Sequence, residues 1–191
     1  MEKLFFLLLS LFLIQCSAGK ISELHQTYNQ EDYLYWSETR RLTWEDFKGK
    51  PVGTSDDYST EIFMSIPSSI EKENLFSPPK LTSVCVFDKQ HSRINKNIAN
   101  GTLLIYYQTI FDIHEVYARK LRKTFLETDF GLNDFKEKYR SMTEKNNNDL
   151  LNRIEEFRRA SKLGQNKETV KQWAAKIRNE LQELYQFKKD Y

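Results

Sequence analysis

Cysteine is almost absent from this 191-residue sequence: Cys16 and Cys85 are the two. They cannot supply a disulfide framework or a cysteine-rich zinc module. Histidine is scarce too, with three residues. Six glycines and four prolines exclude collagen-like or Gly/Pro-rich low-complexity architecture. Neither sign of charge dominates, with 29 Lys and Arg against 27 Asp and Glu, so the balance gives no reason to expect a nucleic-acid partner. After the first eighteen residues no apolar run is long enough for a transmembrane helix. What is present, 39% hydrophobic residues of which many are aromatic, can build the core of one domain.

Residues 4–14 are apolar apart from Ser10, follow a weakly basic start and precede Gln15-Cys16-Ser17-Ala18-Gly19. The run is too short to span a bilayer and has the size of a secretory signal core. Residues 1–18 therefore read as a signal peptide cut before Gly19, which makes the mature chain secreted, periplasmic or cell-envelope associated. The alternative is a lipoprotein anchored at an acylated Cys16, although Gln15 is bulky and polar where such sites want a small residue. Membrane contact is expected only through that anchor. If Cys16 leaves with the signal, Cys85 has no partner; its β-prone surroundings, residues 81–87, suit a small buried strand residue.

Periodicity divides the remainder. Residues 19–34 are polar and aperiodic, a tether. Residues 35–187 form the domain and 188–191 a tail. Residues 58–66 and 81–87 read as strands, separated by a loop with Pro67, Pro78 and Pro79. From Ile98 onward the pattern is helical, with an interruption or bend expected at Asn146-Asn147-Asn148. Residues 118–191 hold 18 basic and 12 acidic side chains, against 10 and 14 in residues 20–117. The excess is spread along helix faces, as on a solvated surface.

Leu104, Tyr107, Phe111, His114, Ala118, Leu121 and Phe125 alternate spacings of three and four, a helical core stripe. Tyr106, Ile110, Ile113 and Tyr117 form a second stripe beside it. A helix apolar over so wide an arc should be central. Val170, Trp173, Ile177, Leu181 and Leu184 mark an amphipathic C-terminal helix. Thr43 reads as the N-cap of a short helix with Glu45-Asp46 in its first turn and Trp44 and Phe47 as packing residues.

Several blocks resemble one family in order: residues 41–49 (Arg-Leu-Thr-Trp-Glu-Asp-Phe-Lys-Gly), Val86-Phe87-Asp88-Lys89, Gln108 with Phe111-Asp112-Ile113, and residues 115–122. Gly164-Gln165-Asn166, Gln172-Trp173 and Ile177 resemble its C-terminal helix. The family is the bacterial predicted secreted zinc-dependent proteases, domain of unknown function family 922. The resemblance covers residues 35–187. It implies an α+β fold, with a small antiparallel sheet packed against a central helix and C-terminal helices in a zincin-like arrangement.

The same resemblance exposes a departure. The family's central helix carries His-Glu-Gln-x-His before Phe-Asp-Ile, two zinc ligands flanking a general base. Here Tyr106 and Ile110 stand at the two histidine positions and Tyr107 at the glutamate. Leu163 stands where a further histidine is expected. Ile110 and Leu163 have no donor atom, Tyr106 could ligate only as phenolate, and the neutral amide of Gln108 is a poor zinc ligand. Tyr106, Tyr107, Ile110 and Leu163 are read as vestigial site positions, with no catalytic, metal or cofactor residue assigned, and the old pocket is expected to be filled.

His114-Glu115 imitates the start of a zinc motif, but Ala118 occupies the second ligand position. No nucleophile elbow or phosphate-binding glycine loop is present. The expectation is a catalytically inactive relative that binds a protein or peptide partner, with scaffolding, peptide capture or regulation of an active relative as its role. The alternative is an active secreted hydrolase or metalloprotease with a rebuilt site.

Overall fold

The structure, a computed structural model, describes residues 27–50, 60–74, 76–95, 97–131 and 133–189. The expected signal peptide, Cys16, His25 and residues 19–26 of the expected tether lie outside the described residues. The chain is α+β. Its strands are β1 (Tyr33–Tyr35), β2 (Met64–Ser65), β3 (Ser68–Glu71), β4 (Lys80–Ser83) and β5 (Val86–Asp88). Its helices are α1 (Gly101–Leu126), α2 (Phe135–Ala160) and α3 (Lys167–Glu183). One antiparallel sheet has the order β1-β5-β2, and β3 and β4 form a second, two-stranded one.

Helix α1 starts where Asn100 caps it, its side-chain oxygen accepting the Leu103 N–H at 3.0 Å. Both apolar stripes are used. Tyr107, Phe111, His114, Ala118, Leu121 and Phe125 are buried, as are Tyr106 and Ile113 from the second stripe. Helices α2 and α3 and strands β2 and β4 all contact α1, so it is central, as the width of its apolar arc requires. Val170, Ile177 and Leu181 close the core from α3. Thr43 does precede a helical turn, a single 3₁₀ turn at Trp44–Asp46. The Asp46 carboxylate accepts the Thr43 N–H at 2.8 Å and its hydroxyl at 3.1 Å.

Five expectations need correction. Helix α2 runs unbroken through Asn146-Asn147-Asn148. Each Asn disfavours helix by only about 0.5 kcal/mol relative to Ala. Packing of Leu150, Ile154 and Phe157 on the core and the Lys145–Asp149 pair at 2.6 Å outweigh that. Residues 81–87 are two strands, broken at Val84 and Cys85. There the Val84 N–H turns to the Pro67 carbonyl and the Cys85 carbonyl accepts from Trp36 N–H, so the chain passes from one sheet to the other. Of the strand expected over 58–66, residues 58 and 59 lie outside the described residues, and residues 60–66 hold a bridge between Glu61 and Arg93 and the short β2. Strand β3 lies in the presumed loop, its polar residues Ser68 and Ser69 held by pairing with β4. Finally, Tyr33 and Leu34 belong to β1 rather than to a tether, and Tyr28 packs against Tyr33.

Candidate functional site

Gln108, Asp112, Glu115 and Arg119 of the family-like blocks lie inside the protein. Asp112, 1% exposed, accepts from Trp36 Nε1 at 2.8 Å, from both terminal nitrogens of Arg41 at 3.2 and 2.7 Å, and from Gln108 Nε2 at 2.8 Å. Gln108 Oε1 in turn accepts the Leu42 N–H at 2.7 Å. This network fastens residues 36–42 to α1. One helical turn further, Glu115 Oε1 accepts from Arg119 Nε at 2.9 Å and from an Arg122 terminal nitrogen at 2.8 Å. Both arginines continue to C-terminal carbonyls, Arg119 to Leu181 and Arg122 to Phe187, each at 2.6 Å. Burial raises the Glu115 pKa even with these cations beside it. These groups brace the chain ends and present no reactive atom to solvent.

The four positions expected to be vestigial lie elsewhere, around one cleft. Tyr106, Tyr107, Ile110 and Leu163 line it with Thr60, Ile62 and Met64 from the β2 segment, His114 from α1, and Leu151, Ile154 and Arg158 from α2. Its volume is about 490 Å³. The pocket expected to be filled is therefore open, because the tyrosine rings turn into the core. Tyr106 stacks on Phe157 with centroids 5.1 Å apart, and Tyr107 meets Phe47 at 6.0 Å. A second hollow of about 290 Å³ shares Met64, His114 and Leu151 and continues past Ser65, Ile66 and Pro67 to Asn147. The two make a groove between β2 and α2, floored by α1.

One wall of this groove is β2, an outer strand of its sheet. The Asp88 N–H donates to the Phe63 carbonyl at 2.9 Å, and the register sets Met64 opposite Phe87 and Ser65 opposite Val86. In an antiparallel ladder that makes Met64–Phe87 the non-hydrogen-bonded pair. Ile62, Met64 and Ile66 thus turn their N–H and C=O groups away from β5. β2 is an outer strand, and among the described residues no backbone group meets these from the open side. Their side chains pack toward α1, while Phe63 on the opposite face is exposed.

Groove chemistry is almost neutral. His114 Nδ1 lies 2.8 Å from the Ile110 carbonyl, so the neutral ring donates from Nδ1 and keeps Nε2 as an acceptor. Burial pushes its pKa down to about 4. Burial likewise pushes the Tyr107 hydroxyl up to about 12 and raises Tyr106, the latter countered by Arg158. A phenolate ligand at either tyrosine is therefore strongly disfavoured near neutral pH. His91 is exposed and pairs with Asp88 at 2.8 Å, far in role from His114. Cys85 is fully buried, its thiol pKa raised mainly by that burial. Among the described residues no group of three or more His, Cys, Asp or Glu could hold a metal ion. The zinc that the resemblance implies does not fit this donor set.

Sequence reasoning named the α1 and Leu163 positions but missed Arg158, Leu151, Ile154 and the β2 edge. The signal was faint. A two-residue strand has no readable alternation, and Leu151 and Arg158 fall on an α2 surface that is mostly polar. Among the described residues no helix is long and apolar enough to cross a membrane. Compared with family models, with curated proteins and with solved structures, the chain matches none.

Proposed function

We propose that this chain is a secreted or envelope-associated binding protein, a catalytically inactive relative of the zinc-dependent proteases, that captures extended polypeptide segments. The observation that carries this reading is the groove's open wall: the outward N–H and C=O groups of Ile62, Met64 and Ile66 run beside an apolar trough. An extended segment can add to such an edge as a further strand, its backbone supplying hydrogen bonds and alternate side chains entering the trough. A long central helix beside a strand edge is also what supports a zincin-like relationship. The substituted positions at Tyr106, Tyr107, Ile110 and Leu163 leave the groove its shape while removing ligands and base. Secretion rests on the apolar residues 4–14 and the small residues that follow.

The test is binding of a labelled, permanently unfolded polypeptide by fluorescence anisotropy, with its integrity followed by mass spectrometry. Saturable binding without cleavage is expected, and Leu151→Asp, which places a charge in the groove from an exposed position, should weaken it about tenfold or more. Cleavage abolished by a chelator, or binding indifferent to Leu151→Asp, would overturn the proposal.

A further inference from the structure

The two ends of the groove differ. Along β2 the lining residues run from Thr60 to Pro67, and along α1 from Tyr106 to His114, in the same sense; α2 runs the opposite way, from Asn147 to Arg158. The Thr60 end therefore gathers Tyr106, Tyr107, Leu163 and Arg158. Arg158 is the one charged side chain among the cleft residues once His114 is neutral. Its helix neighbours Arg153 and Arg159 are occupied by Glu156, Glu180 and Glu155. Among the described residues Arg158 makes no ion pair, and it stands beside the Tyr106 hydroxyl.

The same end carries a run of strained backbone. Lys162, Leu163 and Gly164 have φ of 51°, 55° and 86°. A Schellman cap explains the first. Lys162 N–H bonds to the Arg159 carbonyl at 3.1 Å and Leu163 N–H to that of Arg158 at 2.8 Å, which requires one left-handed residue after the helix. Leu163 is a second left-handed residue, and its branched side chain is disfavoured there by about 1–2 kcal/mol. The side chain is also 56% exposed, so burial does not offset the strain. The turn that the Gln165 N–H closes on the Lys162 carbonyl at 3.1 Å, with Leu163 and Gly164 as its two central residues, holds that conformation and keeps the Leu163 side chain at the cleft mouth.

We infer that the groove is built for the C-terminal end of a polypeptide, running antiparallel to β2, with its terminal carboxylate at Arg158 and its last side chain against Leu163. This rests on the peptide-capture reading above. Every pairing in the three-stranded sheet is antiparallel. A guest in that sense enters at Pro67 and finishes at Thr60, where the Arg158 guanidinium stands, hydrogen-bonded to Tyr106 and without an ion pair among the described residues. An Arg fork matches a carboxylate in two parallel hydrogen bonds. The neutral, apolar trough behind it favours residues that are apolar at alternate positions.

A pool of random short peptides with free C-termini, selected on the purified chain, tests this. Selected sequences are resynthesised as the free acid and as the C-terminal amide. The acid is expected to bind about tenfold more tightly than the amide. Arg158→Gln should remove that difference by weakening the acid alone, so the unchanged amide affinity also reports that the variant is folded. Equal binding of acid and amide to the unaltered chain would overturn the carboxylate assignment and leave the groove reading standing. Failure to select any peptide, or selection of peptides that Leu151→Asp binds equally well, would overturn both.

Discussion

Gly164 rests directly on the Tyr106 ring: a Cβ added to Gly164 would lie 2.9 Å from Tyr106 Cγ. Gly164 also has φ of 86°, a region that side-chain-bearing residues rarely adopt. Contact and backbone thus both demand glycine, and they fix the turn after α2 against the floor of the groove.

Gly164→Ala should consequently destabilise the fold by about 2–3 kcal/mol, from the left-handed conformation and from overpacking against a ring held by Phe157. Urea denaturation measures it. A loss under about 0.5 kcal/mol would mean that the turn and Tyr106 are not pressed together.

The preceding residue should behave in the opposite way. Leu163→Gly relieves left-handed strain at a side chain that is largely exposed, so stability should rise by about 0.5–1 kcal/mol. Peptide affinity should fall in the same variant. A rise in stability with unchanged affinity would deny Leu163 a role in the groove.

Glu115 offers a test of the interior brace. Glu115→Ala removes the carboxylate between Arg119 and Arg122 and leaves Arg119, which has no exposed side-chain surface, without that partner. The expected loss is about 3–5 kcal/mol by urea denaturation, the magnitude for breaking one side of a buried pair. A loss below about 1 kcal/mol would show that the network contributes packing alone.

His114 sets a pH dependence. Its pKa lies near 6.5 in an unfolded chain and is pushed down to about 4 in the fold, so the native state resists protonation. The associated stability is full above pH 6.5 and is lost as pH falls from about 6.5 to about 4, a change of about 3 kcal/mol. His114→Gln should flatten that interval in denaturation curves measured at several pH values. An identical slope in the variant would place the acid sensitivity on carboxylates.

The central helix was the most legible feature of the sequence, because Tyr107, Phe111, Ala118, Leu121 and Phe125 repeat over more than five turns and periodicity needs length. The sheet was least legible. β2 has two residues, and β3 is a polar segment whose strand character comes from β4. Asn146-Asn147-Asn148 misled because local propensity there is weaker than the packing of Leu150 and Phe157. Tyr106, Tyr107, Ile110 and Leu163 were singled out from residue order, and the structure sets all four around one cleft. Arg158 could not be found this way: an arginine on a charged helix is distinguished only by what faces it.

Metal content follows from the same residues. Purified chain is expected to carry no tightly bound zinc by elemental analysis, and its melting should not change with chelator.

The most direct measurement is amide hydrogen exchange at β2, with and without a saturating bound peptide. Ile62, Met64 and Ile66 point their N–H groups to the open edge, so they should exchange readily in the free chain and become protected on binding. Phe63 and Ser65, already directed toward Ser92 and β5, should change little. Protection elsewhere, with these three amides unaltered at saturation, would contradict capture along the strand edge.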